Sequence, residues 1–180
     1  MRKIALQIVS FMVFTSGTVF GQSMNSTIQL PKFSNDERWE TAESNIIYFI
    51  IAGISYAKSN GSSASAFGAW TGTIGLPYWK SIEGMSPEKF VQEIYANEDQ
   101  FKDYRMEILE NDSSVIKGRV KGMGLGWLKM MDWGLVTVGD YEQFFRNKWK
   151  SIANGLGYDY DQETKEDWTY FTIYKHLKVK

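Results

Sequence analysis

The apolar residues of this chain change their spacing three times, and the order of those changes restricts the fold more than any single motif does. Helical spacing runs from the mid-thirties to about residue 99, alternation by two takes over from 101 to 121, helical spacing returns from 137 to about 154, and alternation closes the chain. Spacing of three and four marks an amphipathic helix and spacing of two a half-buried strand. No strand–helix–strand alternation occurs. The order predicts an α+β domain over 34–180, an antiparallel sheet of about four strands packed against three to five helices.

The first helix announces itself at Ser34-Asn35-Asp36-Glu37, a capping box in which Ser34 accepts from the amide three residues on while Glu37 reaches back. Trp39, Ala42, Ile46, Phe49, Ile50 and Gly53 follow at helical spacing, and Ile47, Tyr48 and Ile51 widen the stripe enough for burial on most sides. Asn60-Gly61 is the expected stop. Ser62 or Ser63 caps a shorter helix in which Ala64, Gly68 and Gly72 stand four apart, a small-residue run that lets another backbone come close. Gly75 and Pro77 are expected to end it and leave Tyr78 and Trp79 in a loop. Ser86-Pro87-Glu88 opens a third helix through Phe90, Val91, Ile94 and Tyr95, with proline in the first turn where its missing amide is harmless.

Tyr104, Met106 and Ile108 then alternate with Arg105, Glu107 and, less cleanly, Leu109. The turn cluster Asn111 to Ser114 leads into Ile116, Gly118 and Val120, which completes a β-hairpin. A glycine-broken segment, 122–134, has room for a short helix at Leu128 to Met131. Thr137 to Asp140 is a second, weaker capping signal before Tyr141, Phe144, Phe145, Lys148, Trp149 and Ile152, with Asn154-Gly155 and Gly157 as terminators. A second hairpin closes the chain over Tyr158 to Asp161 and Trp168 to Tyr174.

The first 21 residues read as a secretory signal: Arg2 and Lys3, an apolar stretch from Ile4 to Phe20, and small residues near Val19 and Gly21. The stretch is too short and, at Thr15 to Thr18, too polar for a membrane span. Cleavage leaves a polar extended lead-in over 22–33, a secreted or periplasmic protein of a bacterial envelope, and no stable membrane insertion. The formal net charge of −1 becomes −3 once Arg2 and Lys3 are lost, which argues against nucleic acid as partner. With no cysteine in the chain, no disulfide framework supports the fold, and the core alone must hold it.

The order of elements across Ser62 to Trp79, Arg105 to Val120 and Tyr141 to Tyr174 resembles the small domains related to L-2-amino-thiazoline-4-carboxylic acid hydrolases and the 4-vinyl-reductase-type ligand-binding modules. The resemblance is one of layout. It implies a pocket between helices and sheet. Those relatives carry cysteines in the hairpin and after the long helix, and this chain has none, so their cysteine-based chemistry does not transfer.

Residues for catalysis are sparse. A Ser-His-Asp arrangement needs a base, and the one histidine, His176, stands near the end on a presumed strand. One histidine and no cysteine leave no zinc ligand set, so no metal is expected there. Asp159, Asp161, Glu163, Glu166 and Asp167 alternate as calcium loops do, but Thr164 and Tyr170 stand where such a loop needs Gly and Glu, which favours a solvated acidic turn. Glu83, Glu93, Glu107, Glu142 and Asp132 are available for a paired-carboxylate glycosidase, without a motif that joins them. Gly122 to Gly126 lacks the lysine ending of a phosphate loop and reads as a turn. No cofactor is expected.

Seven tryptophans, ten tyrosines and eleven phenylalanines remain. Trp70, Tyr78, Trp79, Trp127, Trp133 and Tyr141 stand out, because several fall in glycine-broken segments and aromatics with polar tips suit a cavity for a small organic ligand. Core filling is the competing explanation for the same residues. The leading expectation is an exported, non-catalytic domain that binds a small, partly apolar ligand. Two other classes stay open: a hydrolase using carboxylates or a tyrosine, with Tyr78, Glu83, Arg105 or Glu107 in its pocket, and an envelope interaction or structural domain. No pattern in the chain specifies an oligomeric state.

Overall fold

Ser34 and Glu37 form the expected capping box: the Ser34 hydroxyl accepts from the Glu37 amide at 3.2 Å and the Glu37 carboxylate accepts from the Ser34 amide at 2.8 Å. They open helix α1, Asn35–Ser59, in the computed structural model, which describes residues 32–130 and 132–175 and every side chain among them except those of Trp127 and Met130. The leader, the lead-in up to residue 31 and His176 lie outside the described residues. From Phe33 the chain forms one compact unit.

Helix α2, Ala64–Ser81, departs from expectation by running through Pro77 and carrying Tyr78 and Trp79 inside its last turn. Proline removes one amide and crowds the carbonyl four residues back, and that carbonyl belongs to Thr73 on the exposed side of the helix. Trp79 holds the last turn down. Its ring meets those of Phe90 and Trp149 edge-on at 5.6 and 5.5 Å. Helix α3, Pro87–Glu98, follows its Ser86 cap. Helix α4, Leu125–Met130, is the short helix of the glycine-broken segment, begun earlier than expected. Helix α5, Val138–Leu156, opens on a second capping box, Thr137 with Asp140, passes through Gly155 and stops at left-handed Gly157.

The sheet is antiparallel throughout, with spatial order β1-β2-β4-β3: Arg105–Asn111, Val115–Lys121, Trp168–Tyr174 and Asp159–Lys165. The imperfect alternation at Leu109 is a register shift between Ile108 and Glu110, one residue inserted into the edge strand. Ile116, Gly118 and Val120 of β2, Thr169, Phe171 and Ile173 of β4, and Tyr160 and Gln162 of β3 share the inner face. Buried residues of α3 and α5, among them Phe90, Ile94, Trp149 and Ile152, join this face in one core.

The small-residue run does what its spacing predicts. A Cβ on Gly68 would strike the Phe144 carbonyl and one on Gly72 the Lys148 carbonyl, so α2 and α5 pack backbone to backbone.

Candidate functional site

Of the five singled-out aromatics whose side chains are described, Trp79 and Tyr141 are buried in the core. Trp79 belongs to the ring cluster with Phe90 and Trp149. Trp70 and Tyr78 stand on α2 with 59% of their surface exposed, Trp70 stacked on Phe67. Trp133 is partly buried against the core, and the side chain of Trp127 is outside the description. Of the five whose side chains are described, Tyr141 lines one of the small cavities. The polar residues considered for a hydrolase do not converge either: Tyr78, Glu83, Arg105 and Glu107 are all exposed, with Glu107 paired to Arg119 at 2.6 Å.

What the fold does bring together is a set of polar side chains in the layer between helices and sheet. Glu98 ends α3, Tyr104 follows the turn closed by its own amide on the Phe101 carbonyl, Tyr141 occupies the first turn of α5, and Tyr160 and Gln162 point inward from β3. All five are buried, Glu98 to 2% exposure and Tyr141 to 1%. Tyr160 donates to Gln162 Oε1 at 2.8 Å, and Lys148 donates to Glu98 Oε1 at 3.3 Å. Glu98 Oε2, Tyr104 Oη and Tyr141 Oη meet no hydrogen-bond partner.

Two small cavities run through this set. The first is lined by Glu98, Tyr104, Tyr160, Gln162 and Met123, with Ile94, Val120, Trp149 and Phe171 as its apolar wall. The second is lined by Tyr141, Glu142, Thr169, Gln162 and Met123. Each has about 10 Å³, near the least that one water needs. Met123 and Gln162 are common to both.

Burial raises the proton affinity of this interior. It pushes the Glu98 carboxyl above the usual glutamate range, with the Lys148 charge acting against it. The hydroxyls of Tyr104, Tyr141 and Tyr160 are pushed up by burial first and by the Glu98 charge second. The site therefore holds its tyrosines neutral, each able to donate and to accept.

Gly122 and Gly124, which flank Met123, line an open cleft of about 340 Å³ together with Glu40, Glu43, Lys102, Asp103 and Gly126. Gly122, Met123 and Gly124 are consecutive left-handed residues, with φ of 98°, 41° and 70°. For methionine that region costs about 1–2 kcal/mol, offset here by burial of its side chain to 6% exposure. Gly124 is required on two grounds, its φ and its neighbours: a Cβ there would lie 2.6 Å from Ile47 Cδ1 and 3.3 Å from Tyr141 Oη. Residues 123 and 124 form the turn that the sequence suggests, and the Tyr141 hydroxyl lies close to Gly124.

Glu98, Tyr104, Tyr160 and Gln162 were not among the expected site residues. A signal was present on β3, where Tyr160 and Gln162 take the inward phase and Asp159, Asp161 and Glu163 the outward one. The outward acids belong to solvent-side contacts, Asp161 with Arg146 at 2.7 Å and Glu163 with Lys165 at 2.5 Å. Among the described residues no group of three His, Cys, Asp or Glu could hold a metal ion. Compared with protein-family models, curated proteins and solved structures, the chain matches none.

Proposed function

We propose that this chain is an exported, non-catalytic domain that holds a small, partly apolar ligand between its helices and its sheet, at Glu98, Tyr104 and Tyr141. One observation carries the reading: three buried polar atoms without partners border two cavities that abut at Met123 and Gln162. An unpaired buried group costs about 1–3 kcal/mol, and a ligand with matching groups recovers it. Ile94, Val120, Trp149 and Phe171 suit the hydrocarbon or ring part of such a molecule. A hydroxyl, amine or amide serves the polar part, donating to Glu98 Oε2. Entry requires Met123 to swing out toward the open cleft, which enlarges two water-sized voids into one chamber. Export rests on the basic and apolar leader, 1–21.

Native mass spectrometry of the protein purified from its own host, before and after denaturation, tests the reading. A mass excess lost on denaturation supports it, and its absence from the Tyr104→Phe, Tyr141→Phe double variant ties the ligand to these hydroxyls. A bare chain mass in every preparation contradicts it.

One observation favours an enzyme instead: a buried carboxyl of raised proton affinity beside three tyrosines is a pattern found in tuned general acids. Incubation with host extract would then yield turnover products that Glu98→Gln abolishes.

A further inference from the structure

The described surface of α1 and α2 carries several exposed aromatic side chains. Phe49 and Tyr56 on α1 are 72% and 73% exposed, and Trp70, Ile74 and Tyr78 on α2 are 58–59% exposed. They are not scattered. The two helices touch where the Phe67 ring fills the space that Gly53 leaves, and Trp70 stacks on that ring. At 100° per residue, Phe49 and Tyr56 lie on the flank of α1 next to Gly53, and Trp70, Ile74 and Tyr78 on the flank of α2 that carries Phe67. That placement puts the five exposed side chains on the facing flanks of two adjacent helices.

From Asn45 to Ala57 and from Ala64 to Trp79 no residue carries a charge. We propose that this face is the contact between two copies of this chain, related by a two-fold axis. Three arguments select that occupant. An uncharged surface meets its own copy without repulsion and without desolvating an ion, whereas a strongly charged partner finds nothing there to pair with. Four aromatic side chains of roughly 150–250 Å² each, more than half exposed, offer with Ile74 roughly 600 Å² per copy, so a pair reaches the roughly 1,200 Å² at which stable interfaces begin before the smaller Ala52, Ala66 and Thr73 are counted. Tryptophan, tyrosine and phenylalanine are also the residues that dominate interface cores. A lipid surface fits less well, because interfacial helices carry lysine and arginine along the polar face, while the first turns of α1 set Asp36, Glu37 and Glu40 against Arg38, its last-turn Lys58 is tied to Asp140 at 2.6 Å, and α2 carries Lys80 alone.

The test is sedimentation of the protein purified from its host, over a range of concentrations and without detergent, with flotation on phosphatidylcholine–phosphatidylglycerol vesicles alongside. The expected result is a dimer that does not float. Trp70→Lys and Trp70→Glu each weaken it by about thirty-fold or more, the effect of an interface hot spot, with unchanged circular dichroism, and dimer returns when the two are mixed. Phe49→Lys does the same from the other helix should Trp70 variants fold poorly. A monomer at every concentration, or a protein that floats and is monomeric in solution, overturns the proposal. The ligand at Glu98 is not involved, so either result leaves that reading where it stands.

Discussion

Nζ of Lys148 lies 3.3 Å from Oε1 of Glu98, the counter-charge of a carboxyl only 2% exposed. Burial raises the Glu98 pKa above the ordinary glutamate value of 4.5 and the lysine offsets part of that rise. Between the unfolded and folded pKa values the native chain binds more protons than the unfolded one, so this group's contribution to stability falls as pH rises through that window. Glu98→Gln is expected to stabilise the protein above the window, with the gain shrinking as pH falls toward 4.5. Urea midpoints measured across pH check this, and a pH-independent difference would contradict it.

Removing the lysine leaves the carboxyl buried without its counter-charge. Lys148→Met is expected to cost about 3 kcal/mol, the lower end for a broken buried pair because Lys148 keeps some exposure. Glu98→Gln combined with Lys148→Met should recover most of that loss, and denaturant unfolding of the double-mutant cycle reads the coupling.

The glycines of 122–126 separate by environment. Gly124→Ala meets Ile47 and a left-handed φ, and a loss of about 2 kcal/mol is expected. Gly126→Ala has open space around its Cβ and lies in α4, so a gain of up to about 1 kcal/mol is expected. Equal effects in thermal unfolding would contradict the geometry.

Local chemistry wrote much of the fold into the sequence. The capping boxes at Ser34 and Thr137 and the small-residue run at Gly68 and Gly72 are short-range signals with the predicted outcome, while the register shift behind the uneven alternation at Leu109 was not predicted. Pro77 misled because the stop it implies is a local preference, outweighed by the packing of Trp79 on Phe90 and Trp149. Gly155 misled likewise: it lies inside α5 against Leu76, where small size matters more than backbone freedom. The candidate site was less legible. Glu98, Tyr104, Tyr141 and Tyr160 come from four places in the chain, and only their meeting between helices and sheet buries them.

Trp79 and Tyr141 distinguish core filling from binding. Trp79→Ala is expected to cost about 3–5 kcal/mol, as for other buried tryptophans, and to leave the ligand-bound fraction of the folded protein unchanged. Tyr141→Phe removes a buried hydroxyl without a partner, so it should leave the ligand-free protein equally stable or raise its stability by about 1 kcal/mol while weakening ligand retention. Calorimetric melting paired with native mass spectrometry reads both effects.

The most direct test is a high-resolution crystal structure of the protein purified from its own host. The account predicts continuous density within hydrogen-bond distance of Glu98 Oε2, Tyr104 Oη and Tyr141 Oη, with Met123 displaced toward the cleft of Glu43 and Lys102. Two separate water-sized voids, dry or holding single waters behind an unmoved Met123, would contradict it.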